Sequence, residues 1–345
     1  MTALPTNTLT TKSGRSLTFT AIGTGTAPLG NLYFGIDEAA ADETLSVAYD
    51  AGSRYFDTAP LYGFGLSERR LGHFLRQKRP ENTLVSTKAG RLLKVGPRDP
   101  SMQPAQWFDV PSREIVFDYS YDGFMRSFEF SLERLGVDRV DILYCHDIDV
   151  FTHGERDIAM ARTKEFLDGG HKAMVELRDQ GMIDAFGLGV NEWEVCQFVA
   201  ERAEVDLFLL AGRYTLLEQE ALNTFLPLCE DNGLGVIIGG PYNSGILATG
   251  PVEGAYYNYV PAPPEIMDKT AKIKAVCDRY GVTLRDAALQ FPTFHPAVVS
   301  IIPGATSRQE IEGTMESFKT PIPEELWAAL KEDGLLRIEA PVPGA

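Results

Sequence analysis

The sequence predicts an α/β fold of the (β/α)8 TIM-barrel class, in which eight parallel strands alternate with eight covering helices in a single domain. Short apolar runs rich in β-branched and aromatic residues alternate along the chain with longer amphipathic stretches. Strand-then-helix alternation is typical of parallel sheets covered by helices. The length of 345 residues, 44% of them hydrophobic, suits a barrel of about 250 residues with insertions. An open, doubly wound sheet is the alternative arrangement of the same elements.

The individual elements follow from the period of the apolar residues. Eight short runs are predicted as barrel strands: Phe19–Gly23, Tyr55–Asp57, Leu84–Thr87, Asp141–Cys145, Ala185–Gly189, Leu207–Ala211, Gly235–Ile238 and Val298–Ile302. Helical periodicity between them predicts helices that include Glu43–Ala51, Ser67–Arg76, Tyr121–Leu135, Thr163–Gln180, Glu218–Asn232 and Ile266–Tyr280. The barrel core is expected over about residues 18–320 of the single domain 1–345.

Two long segments interrupt the alternation. Arg91–Tyr119 is polar and contains several prolines, and Gly250–Pro264 is rich in proline, glycine and tyrosine. Loops of this length in a compact domain often serve as lids or binding loops. A disordered surface insertion is the alternative.

Charge and composition exclude several classes of partner. The net charge of −16 repels phosphate backbones and anionic lipid, so nucleic-acid and membrane partners are not expected. No run approaches the about 20 apolar residues of a membrane span, and the polar N-terminus lacks the apolar region of a signal peptide. Four scattered cysteines (Cys145, Cys196, Cys229 and Cys277) are expected to be buried, reduced thiols. We therefore expect a cytoplasmic protein with a small-molecule partner. No feature of the sequence decides between a monomer and a homodimer.

Polar residues follow four of the predicted strands. Asp57, Lys88, His146 and Asn191 each come directly after an apolar run. The carboxyl ends of the strands in a parallel barrel meet at one face, where active sites form. A single such residue is more often structural, but four on successive strands indicate one site.

Tyr62 lies in the segment TAPLYGFG, five residues beyond Asp57. A phenol has an unperturbed pKa of about 10 and is a poor acid or base near neutrality. A nearby Lys88 ammonium is expected to lower the pKa of Tyr62, with Asp57 holding that ammonium in place. The three residues then form a tuned proton donor or acceptor, and His146 is expected to orient the substrate oxygen.

These residues also carry a family resemblance. FDTAPLYGFGLSERRLG (Phe56–Gly72), STKAG (Ser86–Gly90) and SLERLGVDRVDILYCHDID (Ser131–Asp149) resemble the catalytic segments of the aldo-keto reductases. GVNE (Gly189–Glu192) and IIPGATSRQEIEG (Ile301–Gly313) resemble their cofactor-binding segments. The resemblance implies hydride transfer between a nicotinamide cofactor and a carbonyl or alcohol. The catalytic residues that it implies are Asp57, Tyr62, Lys88 and His146, with Tyr62 transferring the proton.

One subgroup of the family is the most similar. YSYDGFMRSFEFSLERLG and HDIDVFTHG resemble segments of aldose 1-dehydrogenases that act on D-threo-aldoses, L-fucose or L-galactose, and of pyridoxal 4-dehydrogenase. The resemblance implies NAD-dependent oxidation of an aldose at C1 to its lactone, with Tyr62 as the proton acceptor. Oxidation of the pyridoxal hemiacetal is the alternative, and an NADPH-dependent aldehyde reductase is a second. A cofactor-binding regulatory protein without turnover is the hypothesis from another class.

The C-terminal motif bears on the choice of cofactor. Family members that use NADP present Lys and Arg to the 2′-phosphate, and alignment places Gly304 and Glu310 at those two positions. A carboxylate repels a 2′-phosphate and accepts a hydrogen bond from a free 2′-hydroxyl. NAD is therefore expected over NADP, unless Arg308 turns inward to bind a phosphate. The cofactor contacts implied by the resemblance are Asn191, Gly304, Thr306, Arg308 and Glu310.

Two family contacts to the nicotinamide are missing from the sequence. Ala211 aligns with a glutamine that bonds the carboxamide, and Gly239 or Gly240 aligns with a tyrosine that stacks on the ring. Tyr242 or Tyr214 is a candidate replacement. Trp107 and Tyr33 are candidate substrate-binding residues, and Trp193 is a further candidate, with ordinary packing as the alternative for each aromatic.

Other patterns give weaker hypotheses. GTGTAPLG (Gly23–Gly30) begins like a dinucleotide fingerprint, but Pro28 stands at the third glycine position, so the fingerprint fails. His146, Asp147, Asp149 and His153 could together hold a divalent cation. We favour catalysis for His146, a supporting hydrogen bond for Asp147 and a solvated loop for the others. No GxSxG motif supports a hydrolase.

Overall fold

A closed barrel of parallel strands forms the centre of the protein. The computed structural model describes residues 3–78, 80–97 and 107–344. The described strands, numbered along the chain, are β1 Thr6–Thr10, β2 Ser16–Thr20, β3 Thr24–Gly25, β4 Tyr55–Asp57, β5 Leu84–Ala89, β6 Arg91–Val95, β7 Arg113–Phe117, β8 Ile142–His146, β9 Ala185–Val190, β10 Leu207–Ala211, β11 Gly235–Gly239, β12 Tyr256–Tyr257, β13 Val260–Pro261 and β14 Val298–Ile302.

Eight of these strands pair in the order β3, β4, β5, β8, β9, β10, β11 and β14. Parallel bridges join Ile22 to Ile301 and Gly25 to Gly304, so the first and last strands of that order also meet. The closure confirms the predicted (β/α)8 class and excludes the open sheet.

Helices cover the outside of the barrel. The described α-helices are α1 Glu38–Asp50, α2 Leu66–Lys78, α3 Tyr121–Leu135, α4 Val150–His153, α5 Arg156–Glu165, α6 His171–Asp179, α7 Trp193–Ala200, α8 Phe225–Asp231, α9 Ile246–Thr249, α10 Pro264–Arg279, α11 Leu284–Gln290, α12 Arg308–Lys319 and α13 Glu324–Glu332. Their apolar faces pack on the outward side chains of the strands and form the larger of the hydrophobic clusters.

The predicted opening strand, near Phe19–Gly23, is wrong in its bounds. Phe19 belongs to β2, which pairs antiparallel with β1 in a hairpin, whereas Ile22 bridges Ile301 just before the first barrel strand, Thr24–Gly25. Along β2 the exposed Ser16 and Thr18 alternate with the buried Leu17 and Phe19, which is the pattern of a strand with one solvated face. The apolar face of this hairpin closes the amino-terminal end of the barrel, where its side chains join those that point into the barrel interior.

Two predicted helices also differ from the structure. The predicted Glu218–Asn232 helix is split into a short 3-10 turn, Glu220–Leu222, and α8. Pro227 lacks a backbone N–H and is tolerated only within a first helical turn, so the helix starts again just before it. The predicted Thr163–Gln180 helix begins earlier, because α5 continues through the π-helical turn Phe166–Gly170 into α6.

The two long segments contain paired strands. β6 pairs with β7 in register from Arg91 opposite Phe117 to Val95 opposite Arg113, while residues 98–106 lie outside the described part of the chain. β12 and β13 form a second, shorter hairpin. Side chains from both hairpins lie at the carboxyl ends of the barrel strands.

The four cysteines are all buried and free. No helix in the described part of the chain has the length and apolar character needed to cross a bilayer.

Candidate active site

The four predicted polar residues converge at the carboxyl ends of neighbouring strands. Asp57 is the last residue of β4, Lys88 the penultimate residue of β5 and His146 the last of β8, while Asn191 directly follows β9. These strands are consecutive neighbours in the barrel. Gly189 makes room for the site, because a Cβ at that position would lie 3.2 Å from Lys88 Cε.

Asp57 and Lys88 form a buried ion pair. Lys88 Nζ donates to Asp57 Oδ1 at 2.8 Å and Oδ2 at 2.6 Å, and to the Thr58 carbonyl at 2.8 Å. Ser86 Oγ donates to Asp57 Oδ1 at 2.7 Å. Burial raises the pKa of the Asp57 carboxyl and lowers the pKa of the Lys88 ammonium, and the charge of each partner counteracts both shifts.

Tyr62 lies directly above this pair, with its ring centroid 4.7 Å from Lys88 Nζ. The Tyr62 ring stacks on Trp107 at a centroid distance of 6.2 Å and meets the edge of His146 at 6.0 Å. The expectation that Lys88 lowers the pKa of Tyr62 is wrong for this state of the protein. Burial raises the pKa of Tyr62 well above 10, and the carboxylates of Asp57 and Asp147 raise it further. The Asp57 carboxylate thus opposes the effect that was expected of Lys88.

His146 is an uncharged imidazole. Burial lowers its pKa well below 6.5, and the positive charges of Arg91 and Lys88 lower it further. His146 Nε2 lies 3.2 Å from Asp147 Oδ2. The Tyr119 hydroxyl lies 2.8 Å from the carbonyl oxygens of both His146 and Asp147 and fixes this turn.

The structure adds an ion pair that the sequence reasoning missed, between Arg91 and Asp147. Arg91 Nη2 donates to Asp147 Oδ2, and the guanidinium lies 5.0 Å from the centroid of Phe117. The exposed fraction is 7% for Arg91 and 6% for Asp147. Burial and the nearby Asp149 raise the pKa of Asp147 to about 6, although Arg91 lowers it. Arg91 follows β5 by two residues, so the strand-end rule that selected Lys88 could have found it.

The other members of the possible metal set have separate partners. Asp149 Oδ1 accepts from the Thr152 amide and caps α4, while its Oδ2 accepts from the Asn191 amide at 2.6 Å. His153 packs against Phe117. Within residues 3–78, 80–97 and 107–344, no group of three or more His, Cys, Asp or Glu side chains is arranged to hold a metal ion.

The Asn191 side chain is held by two carboxylates. Its Nδ2 donates to Asp147 Oδ1 at 3.1 Å and to Asp149 Oδ2 at 3.4 Å. The amide oxygen is therefore directed away from these acids. This orientation suits the predicted contact, because the NH₂ of a nicotinamide carboxamide needs an acceptor.

Two cavities meet at Tyr62 and Asn191. The inner cavity has a volume of about 400 Å³ and lies over His146, Arg91 and Asp147, with an apolar wall that includes Leu32, Trp107, Ile115, Phe117 and Phe151. Trp107, a predicted substrate-binding residue, thus lines it. Tyr33 lines the second cavity instead and packs on Tyr256 with ring centroids 5.7 Å apart. Trp193 is half-buried at the start of α7, where it packs against the outer core.

The second cavity, here called the outer cleft, has a volume of about 560 Å³ and runs from Tyr62 and Asn191 to Thr314. Gly304, Thr306 and Glu310 all line it, as the motif predicts. Glu310 Oε2 accepts from the Thr306 amide at 2.7 Å and from its hydroxyl at 3.0 Å. Arg308 is directed elsewhere, since its guanidinium pairs with Glu43 at 2.8 Å and with Glu312 at 3.4 Å.

The outer cleft contains positively charged side chains. Two arginines that the sequence reasoning missed, Arg213 and Arg285, line it. Arg213 lies two residues after β10, so the strand-end rule could have selected it. Arg285 lies in α11 and does not follow a strand, so that rule could not have selected it. Ala211, Gly239 and Gly240 line the cleft and leave space where the family has larger side chains.

Neither candidate replacement for the stacking tyrosine lies at the Tyr62 end of the cleft. Tyr242 lies at the opposite end, where Arg285 is 5.9 Å from its ring centroid. Tyr214 is fully buried against Phe291 and His295. Tyr259, which lines both cavities, is the aromatic residue nearest to their junction among these tyrosines.

Comparison with known proteins identifies the family. The model of the aldo/keto reductase family matches residues 21–333. The chain belongs to the aldo/keto reductase family. This aldo/keto reductase is therefore an oxidoreductase, and members of the family use nicotinamide cofactors.

Relatives lie in the subgroup that the sequence resembles. The chain is 44% identical over 332 residues to pyridoxal 4-dehydrogenase of Microbacterium luteolum, covering 93% of this chain and 95% of the relative. It is 38% identical over 326 residues to D-threo-aldose 1-dehydrogenase of a Pseudomonas species, with the same shares covered. A holo-form aldo-keto reductase from Bacillus halodurans has the same fold, with a TM-score of 0.72 at 23% identity over 95% of this chain and 96% of its own.

Proposed function

We propose that this protein uses NAD to oxidise a cyclic hemiacetal to its lactone. The first candidate substrate is an aldose, which is oxidised at C1, and the alternative is the hemiacetal of pyridoxal. The observation that carries the proposal is the junction of the two cavities at Tyr62, where a cleft for a dinucleotide meets a chamber for a small molecule. The similarity to an aldose dehydrogenase and to a pyridoxal dehydrogenase supports it. Both named substrates form cyclic hemiacetals, so one reaction describes both.

In the proposed reaction, each residue of the site acts on the substrate oxygen. The hemiacetal hydroxyl lies between the Tyr62 hydroxyl and His146 Nε2, with the reacting carbon facing the outer cleft. NAD in the outer cleft would accept the hydride, and its positive charge would favour loss of the Tyr62 proton to solvent. The resulting Tyr62 phenolate takes the hydroxyl proton while neutral His146 holds the substrate oxygen in line. Lys88 and Asp57 keep the base of the site rigid and exclude water.

The walls of the inner cavity suit both substrate types. Trp107, Phe117 and Phe151 present aromatic faces that pack on the C–H face of a sugar ring or on a pyridine ring. Arg91 and Asp147 supply polar contacts within the same cavity. The aldose proposal rests on the polar pair, and the pyridoxal alternative on the aromatic wall and the 44% identical relative.

The far end of the outer cleft supports NAD as the cofactor. The Glu310 carboxylate lines the cleft, where it would repel a 2′-phosphate. Gly304 lies against Pro28, and a Cβ there would come within 2.6 Å of the proline Cγ, so a lysine does not fit without movement. Arg308 already has two carboxylate partners.

The test is the initial rate of NADH formation with L-fucose, L-galactose, D-arabinose and pyridoxal, each with NAD and with NADP. We expect NAD-linked lactone formation from at least one of them. Tyr62→Phe should lower turnover by at least about 100-fold while NAD binding is retained. Tyr144→Phe is the matched control, because Tyr144 is buried below the site and its hydroxyl lies 3.2 Å from that of Tyr55. NADPH-linked reduction of simple aldehydes with no oxidation of the panel would contradict the proposal, and the absence of any turnover would favour a regulatory protein.

A further inference from the structure

The Asp147 carboxylate contacts three groups of the site at once. Its Oδ2 lies 3.2 Å from His146 Nε2 and accepts from Arg91 Nη2, and its Oδ1 accepts from Asn191 Nδ2 at 3.1 Å. Arg91 and Asp147 both line the inner cavity. A substrate oxygen held by His146 therefore has this ion pair as its immediate neighbour.

The buried ion pair of Arg91 and Asp147 is not explained by a gain in stability. Two charges are taken out of water, and replacement of a buried ion pair by apolar residues is often neutral or stabilising. Asp147 has a left-handed backbone with φ of 51°, which is uncommon for a residue with a side chain. Arg91 Nε is buried without a hydrogen-bond partner among the described residues. Strained and incompletely satisfied groups are typical of sites that act on a ligand.

The chemistry of the proposed substrates supplies that ligand. In an aldose, the carbon next to the reacting carbon carries a hydroxyl. In the pyridoxal hemiacetal, the ring carbon next to the reacting carbon carries no oxygen, and the corresponding group is the phenolic oxygen on the following ring carbon. In both substrates this oxygen, here called the adjacent oxygen, can lie within hydrogen-bond distance of the reacting oxygen. When the reacting oxygen lies at Tyr62 and His146, the adjacent oxygen reaches the ion pair.

We propose that Arg91 and Asp147 bind this adjacent oxygen, the C2 hydroxyl of an aldose or the phenolic oxygen of pyridoxal, and so select substrates that carry it, an inference that rests on the proposed function. A hydroxyl there donates to Asp147 and accepts from Arg91, so it satisfies both charges. A substrate with hydrogen at that position leaves both charges buried beside an apolar group. The pair thus determines specificity, while Tyr62 and His146 act on the reacting oxygen.

The experiment removes the adjacent oxygen from the substrate and, separately, the charged side chains of Arg91 and Asp147 from the protein. D-arabinose is compared with 2-deoxy-D-ribose, which lacks the oxygen, and pyridoxal with 3-deoxypyridoxal. The kcat/KM ratio within each pair is measured for the wild type, Arg91→Met, Asp147→Asn and the double variant. Arg113→Met is the matched control, because Arg113 lies on the other strand of the same hairpin and is only half-buried, outside the inner cavity.

For the wild type we expect a preference of at least about tenfold for the substrate with the adjacent oxygen, the effect of a hydrogen bond to a charged group. Arg91→Met and Asp147→Asn should abolish most of that preference, and Arg113→Met should retain it. The double variant has no unpaired buried charge and serves as the folded comparison if a single variant unfolds.

The outcomes separate the two proposals. Wild-type lactone formation with no preference within the pairs, or a preference that survives in the double variant, overturns the role of Arg91 and Asp147 and leaves the proposed function standing. If the wild type oxidises no member of either pair or of the panel, both proposals are overturned.

Discussion

Lys88 directs three hydrogen bonds away from Tyr62, two to Asp57 at 2.8 and 2.6 Å and one to the Thr58 carbonyl at 2.8 Å. An ammonium group has three protons, so all are used. Lys88 Nζ lies 4.7 Å from the centroid of the Tyr62 ring, and its protons are directed to other acceptors. Burial raises the pKa of Tyr62, and the Asp57 carboxylate raises it further.

Removal of Lys88 should affect stability and activity separately. Lys88→Met leaves the buried Asp57 carboxylate unpaired, and we expect a loss of about 3–5 kcal/mol in the free energy of unfolding. Lys88→Met combined with Asp57→Asn should recover most of this stability without recovering turnover. Thermal unfolding and NADH formation measure the two effects. Wild-type stability in the single variant would mean that Asp57 is not held as a buried charge.

The fall of kcat/KM on the acid side of its pH profile should follow the protonation of Asp147. Its pKa is raised to about 6, so lowering the pH through about 6 protonates the carboxyl and removes its charge beside Arg91 and Lys88. We expect kcat/KM for an oxygenated substrate to fall below about pH 6. His146 does not titrate in this range, because its pKa lies well below 6.5.

Two variants test this assignment to Asp147. Asp147→Asn should remove the inflection near pH 6. Asp141→Asn should retain it, although the pKa of Asp141 is also about 6, because Asp141 lies at the opposite end of β8. Loss of the inflection only in Asp141→Asn would assign it to a conformational effect.

Glu310 should control the choice of cofactor. Glu310→Gln removes the negative charge from the cleft, and we expect the ratio of kcat/KM for NAD to that for NADP to fall at least about tenfold, which corresponds to about 1.4 kcal/mol. Arg308→Ala should leave this ratio unchanged, because Arg308 pairs with Glu43 and Glu312. A large fall in Arg308→Ala would show that this arginine turns toward the cofactor.

The amino-terminal hairpin should contribute to stability alone. Leu17 is buried in the barrel interior cluster, and Leu17→Ala should lower the free energy of unfolding by about 2–5 kcal/mol. Its kcat/KM should equal that of the wild type, because the hairpin lies at the end of the barrel remote from Tyr62. Thr18→Ala, exposed on the same strand, is the control with little effect on either quantity.

The sequence by itself determined the architecture and the convergence of Asp57, Lys88, His146 and Asn191. Both follow from local order: alternating elements produce parallel strands, and parallel strands place their carboxyl ends at one face. The same reasoning could have selected Arg91 and Arg213, which also follow strands, but their side-chain directions could not be read from spacing.

Only the tertiary structure decided which strand opens the barrel and which charges meet. The hairpin strand Ser16–Thr20 has an apolar pattern that a barrel strand also shows, so pairing rather than local pattern separates them. Arg91 and Asp147 lie 56 residues apart in the chain, and their contact depends on a hairpin folding over the barrel. Burial then raises the pKa of Tyr62, because desolvation outweighs the nearby positive charge of Arg91.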